Sequence, residues 1–83
     1  MSDLEYDVLD ELYLLKHFKD LITAVGLEEV DLYSVLDKLH KKEWIKCFEE
    51  PDIELTYEQV DLEIKFRKYF YQATKLGMKE HTV

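Results

Sequence analysis

Residues 26–48, GLEEVDLYSVLDKLHKKEWIKCF, decide the fold, because the spacing of apolar residues changes within them. Leu32, Val35, Leu36 and Leu39 recur at steps of three, one and three, the signature of one helical face, and predict a helix from about Glu29 to Lys42. Lys38, Lys41 and Lys42 gather at its C-terminal end, where the helix dipole favours cations. Past Glu43 the pattern shortens. Trp44, Ile45, Lys46, Cys47 and Phe48 are aromatic and β-prone, and Glu50, Pro51 and Asp52 then read as a turn. A strand over 44–48 follows from this switch of period.

Upstream, Phe18, Leu21, Ile22 and Val25 predict a short helix over 18–25 that stops at Gly26, the residue best able to adopt a left-handed cap. Ser2 and Glu5 read as a capping box in front of a first helix, Asp3 to Leu15. Its inner stripe is Leu4, Val8, Leu12 and Leu15, and Tyr6, Leu9 and Tyr13 form a second stripe. Downstream, Leu62, Ile64 and Phe66 alternate with Glu63, Lys65 and Arg67, and Tyr69, Phe70 and Tyr71 continue the β-prone run. Part of 64–72 is therefore expected to pair antiparallel with 44–48. Residues 53–61 stay open, since Thr56 and Gln59 suit a short capped helix while the run also suits an extended segment. Thr74 caps a last helix containing Gly77 and Met78. The expected core is led by Leu12, Leu36, Leu39 and Ile45.

Eighty-three residues make one domain, burying roughly 60–65% of the unfolded chain's surface. Aromatic content of 13% argues against disorder. A single cysteine, Cys47, excludes an internal disulfide and points to a reducing compartment. No basic region followed by an apolar run marks a signal peptide, and charges interrupt every apolar stretch, so a cytoplasmic location without membrane contact is expected. The net charge of −8 is laid out in blocks: −8 over residues 1–37, +3 over 38–48, −7 over 49–63 and +4 over 64–83. Only the two short basic blocks would tolerate a polyanion.

Helix, short helix, turn, helix and hairpin is an order that resembles the winged helix-turn-helix family. Gly26 and Leu27 fall at that family's turn. Leu32, Val35, Leu36 and Leu39 fall at the buried positions of its third helix, and Trp44 and Ile45 begin its first wing strand. Tyr69 to Tyr71, followed by Thr74, Lys75, Leu76 and Gly77, looks like its closing strand and the T-x-x-G start of a C-terminal helix. The resemblance spans nearly the whole chain. It implies an α+β, winged-helix-like fold: a three-helix bundle with a two-stranded β-hairpin wing and a short C-terminal helix. The single domain, 1–83, then divides into a helix-turn-helix core over 3–42, an acidic extended wing over 43–72 and the last helix over 73–83. Three departures stand out. Glu28 replaces the usual Ser, Thr or Asp cap, Glu43 replaces the glycine before the wing, and the wing is long and acidic.

The resemblance also implies where nucleic acid would sit, on the outer face of the third helix. Here that face is Glu29, Val30, Asp31, Tyr33, Ser34, Asp37 and Lys38, which offers almost no phosphate neutralisation. Nucleic acid is thus an unfavoured partner. The alternative, a small DNA-binding transcriptional regulator, requires Lys41, Lys42, Lys46, Arg67 and Lys68 to form a basic patch on the wing strands; otherwise these charges only offset nearby acids.

Catalysis is not expected. His17, His40 and His81 are far apart in sequence, Asp7, Asp10 and Glu11 read as a solvated acidic face, and Cys47 sits in an apolar strand with no base beside it. No cofactor, metal or small-molecule motif is present. A protein partner, or a second copy in a homodimer, is left. The candidate contacts are Tyr6, Leu9 and Tyr13 on the first helix and Val30 and Tyr33 on the third, unless Tyr6 and Tyr13 merely edge the core. The expected function is a non-catalytic protein-interaction module.

Overall fold

The computed structural model describes residues 1–82. Ser2 opens helix α1 (Asp3–Glu11) through the expected capping box: its hydroxyl accepts from the Glu5 amide at 3.2 Å and the Glu5 carboxylate accepts in return. A two-residue strand β1 (Lys16–His17) leads into α2 (Phe18–Val25), which ends at Gly26 in the left-handed region with φ 67°. Helix α3 (Glu29–Lys41) follows, and its cap residue Glu28 makes no side-chain capping bond. Strand β2 (Ile45–Glu50) turns at Pro51 and Asp52 into β3 (Ile53–Glu54). A 3-10 turn (Tyr57–Gln59), the short helix α4 (Leu62–Lys65), strand β4 (Phe70–Ala73) and helix α5 (Lys75–His81) complete the chain.

The molecule is α+β, with five helices and one four-stranded antiparallel sheet of order β1-β4-β2-β3 among the described residues. The expected pairing of the 44–48 strand forms with Ile45 opposite Ala73 and Phe48 opposite Phe70. The Cα radius of gyration is 11.3 Å, against about 12 Å for a compact chain of this length. No helix among the described residues is long and apolar enough to cross a membrane.

Helices pack on one face of the sheet around Val8, Leu9, Leu12, Leu21, Leu32, Leu36 and Leu39, which meet Ile45, Cys47 and Tyr71 from the sheet. All four expected core leaders, Leu12, Leu36, Leu39 and Ile45, are buried. The buried phenol of Tyr71 donates to the Phe66 carbonyl at 2.7 Å, so its burial leaves no orphan hydroxyl. Thr74 accepts from the Gly77 amide at 3.0 Å and donates to the Glu43 carbonyl at 2.8 Å, docking α5 against the start of β2. Gly77 is required there, because any Cβ would overlap the Trp44 carbonyl.

Several expectations give way. The first helix stops at Glu11, not Leu15, because the Leu12 carbonyl accepts from the Ala73 amide (2.8 Å) and the chain must turn into β1 to pair with β4. Leu4, placed on the inner stripe, is exposed. The 43–72 segment is not a two-stranded wing: it also carries β3, the 3-10 turn and α4. Residues 62–65 are helical rather than extended, with the Asp61 carboxylate capping at Ile64. The expected last helix, 73–83, runs over 75–81 in the described residues, and Val83 lies outside them. The open region 53–61 is both things considered, a strand at Ile53–Glu54 and a Thr56–Gln59 capped turn.

Candidate functional site

The sequence nominated two surfaces for a partner, and the fold treats them differently. On α1, Leu9 is fully buried in the core and cannot meet a partner in the folded chain. The i,i+3 and i,i+4 spacing that set it beside Tyr6 and Tyr13 also sets it beside Val8 and Leu12, and the inward rotation of the helix decides between them. Tyr6 stacks on His81 with ring centroids 4.0 Å apart, and the Tyr13 hydroxyl lies 2.8 Å from His81 Nδ1. The chain's own last helix therefore covers this stripe.

The α3 face is open. Val30 is 71% exposed, near the N-terminal end of the helix. Tyr33, expected to face solvent, is half-buried because Phe66 reaches it from the α4 side, with ring centroids 5.0 Å apart. Phe66 continues inward edge-on to Phe18 in the core at 5.3 Å, so the aromatic floor is anchored to the fold. Val30, Tyr33 and Phe66, with Glu29, Glu63 and Arg67 at the rim, line an open groove of about 470 Å³. That volume lies within the roughly 300–1,000 Å³ of sites that hold ligands. Arg67 lies over the Phe66 ring at 4.4 Å and donates to Glu29 at 3.0 Å, closing one side of the rim with an ion pair. Ile64, on α4 beside the groove residue Glu63, is 73% exposed.

The cations nominated for nucleic acid are largely taken. Lys41 pairs with Asp37 at 2.9 Å, Lys42 with Glu5 at 2.6 Å, Lys46 with Glu54 at 3.7 Å and Arg67 with Glu29. Lys68 shares a separate hollow with Lys65, Glu49 and Glu50. The acids come from α1, α3, β3 and the β2 end, so the positive charge is met locally around the molecule. Lys42 also lies 4.5 Å above the Trp44 ring, fixing α1 and α3 to the start of the sheet.

Each histidine has a structural partner. His17 Nδ1 accepts from the Lys19 amide at 3.0 Å and caps α2. His40 stacks on Tyr57 at 4.4 Å, and burial pulls its pKa down against the smaller opposite pulls of Asp37 and Glu43. His81 is held by Tyr6 and Tyr13. The Cys47 thiol lies fully buried beside Ile45 and Tyr71, and burial pushes its pKa up to about 12, which suits a packing residue rather than a nucleophile.

The groove was half legible. Val30 and Tyr33 were nominated from the helical period, whereas Phe66, Ile64 and the Glu29–Arg67 pair were missed because 62–67 reads as a strand. Asp61, three residues before Ile64, was the available signal for a helical turn there. No protein family, no curated protein and no solved structure matches this chain.

Proposed function

We propose that the chain is a winged-helix-like, non-catalytic protein-interaction module that docks a partner on the groove between α3 and α4. The supporting frame is the helix-turn-helix unit α2–Gly26–α3 packed on an antiparallel sheet in which β2 pairs with the returning strand β4. The observation that carries the reading is Val30, 71% exposed at the lip of a groove floored by Tyr33 and Phe66. An aromatic floor beside exposed aliphatic side chains, with a charged rim around it, is the composition of binding hot spots. The partner is a different protein rather than a copy joined through α1, since Leu9 is buried and His81 occupies Tyr6 and Tyr13.

The DNA-binding alternative has less support. Glu28, Glu29 and Asp31 are exposed on the α3 face that would enter a groove of the duplex, and four of the five nominated cations already hold an acid. Fluorescence anisotropy with a mixed-sequence duplex at about 0.01 M salt, where the Debye length is about 30 Å, should give a flat titration. Micromolar binding that weakens steeply with salt would restore the regulator reading.

The direct test is selection from a displayed random-peptide library on the wild-type chain, with counter-selection on Val30→Asp. Peptides should be enriched on the wild type and lost on the variant. Equal enrichment on both would remove the groove from the docking role.

A further inference from the structure

The rim of the α3–α4 groove carries a charge pattern that selects what enters it. Glu28, Glu29 and Asp31 surround Val30 in and just before the first turn of α3, and Glu63 faces them from α4. The cation among these lining residues is Arg67, already bonded to Glu29 and spread over the Phe66 ring. Four acids against one base leave this rim with a net −3. Lys65 and Lys68, also on the α4 side, line a different hollow with Glu49 and Glu50 and do not balance it. A helix N-terminus attracts anions with an effective charge of only about +0.5, so the carboxylates outweigh the α3 dipole.

Resting on the docking reading above, we propose that the groove receives a basic segment of a protein partner, one that sets a large apolar side chain between Tyr33, Phe66 and Val30 and flanks it with lysines or arginines. The apolar anchor is demanded by the floor, which offers ring faces and methyl groups and would leave a polar side chain unsatisfied. The flanking cations are demanded by Asp31, Glu28 and Glu63, which would repel an acidic segment and gain charge-assisted bonds from a basic one. The net charge of −8 on the whole chain acts in the same direction at longer range, speeding encounter with a cationic partner at low salt.

Three short synthetic peptides test this on the full chain by amide chemical shifts and fluorescence anisotropy. One alternates leucine and lysine along an amphipathic pattern, the second replaces every lysine with glutamate, and the third keeps the lysines but replaces every leucine with serine. The leucine–lysine peptide should shift amides over 29–34 and 62–67 and bind at least about ten-fold tighter than either control, a factor equal to about 1.4 kcal/mol. In the double variant Asp31→Lys, Glu63→Lys, both exposed positions, the preference should invert toward the leucine–glutamate peptide. Groove shifts of equal strength with the leucine–glutamate peptide on the wild type would overturn the basic-segment proposal while leaving the docking surface in place. Shifts confined to other regions, or unchanged by Val30→Asp, would overturn both. Displacement of the leucine–lysine peptide by a DNA duplex producing the same groove shifts would reassign the surface to nucleic acid.

Discussion

The α1 face and the α3 face begin alike and end differently. Each carries aromatic or branched residues at helical spacing beyond what a single core stripe needs: Tyr6 and Tyr13 on α1, Val30 and Tyr33 on α3. On α1 the rings are met by His81, which stacks at 4.0 Å on one and lies 2.8 Å from the hydroxyl of the other. On α3, Phe66 and Arg67 supply a floor and a rim but no lid, and Val30 is left in solvent. The cover for α1 comes from the far end of the chain, 68 residues from Tyr13. An extra stripe on a helix is an interface only when no distant part of the same chain closes over it.

The largest effects should separate the two faces. Leu9→Ala should cost about 2–5 kcal/mol in denaturant unfolding, as deletion of a buried side chain does, while Val30→Ala should stay within about 0.5 kcal/mol. Comparable losses at both would erase the distinction between a closed and an open face. Next, Gly77→Ala should cost about 1–3 kcal/mol through overlap with the Trp44 carbonyl. Because α5 delivers His81, that variant should also expose Tyr6 and Tyr13 to solvent, readable as tyrosine fluorescence quenching by acrylamide. Quenching unchanged in a destabilised variant would mean that the lid on α1 does not depend on how α5 is docked.

Smaller gains should come from the two departures around α3. Glu43 sits at φ 59°, a left-handed conformation costing a side chain roughly 1–2 kcal/mol, so Glu43→Gly should raise the melting temperature, net of the glycine's larger unfolded-state entropy. Glu28→Ser should add about 1 kcal/mol by supplying the capping bond that α3 lacks. Neither should alter the groove, so peptide binding measured alongside the melts should not change.

The smallest effect appears only against pH. Burial lowers the folded-state pKa of His40, so the fold keeps the ring neutral while the unfolded chain takes up a proton below about pH 6.5. Stability should therefore be full above that pH and decline as pH falls toward the folded value. For Glu5, burial alone raises the pKa, but bonds from Lys42 and Ser2 outweigh it and the net shift is downward. Its contribution should be present above about pH 4.3 and lost below it. His40→Phe keeps a ring against Tyr57 without the titration and should remove the upper step alone. An unchanged melting profile across pH 5–7 in that variant would take His40 out of the pH response.

Features written in neighbouring residues could be read from the sequence. The Ser2–Glu5 box, the Gly26 stop, the Thr74 cap and the strand after Trp44 each depend on a few adjacent positions, and each is present. Features set by distant partners could not. Residues 12–15 suit a helix by spacing, yet the Ala73 amide claims the Leu12 carbonyl and the β4 strand claims Lys16 and His17. Leu62, Ile64 and Phe66 mislead for another reason. A spacing of four serves both periods, so burying Leu62 and Phe66 while exposing Ile64 is as consistent with one helical turn as with a strand. That ambiguity hid half of the groove, because Tyr33 gains its meaning only when Phe66 arrives beside it.

Cys47 gives the molecule a built-in stopwatch. It is the chain's single cysteine, it lies on β2 opposite Tyr71 in the middle of the sheet, and its thiol is fully buried and held protonated. A thiol-directed label added at neutral pH therefore has nothing to react with until the sheet opens, and no second cysteine can blur the signal. The labelling rate reports how often the central strands part. The same seclusion means that oxidising surroundings should not cross-link two chains while they are folded, so any disulfide-linked pair that forms is a record of chains that had come open.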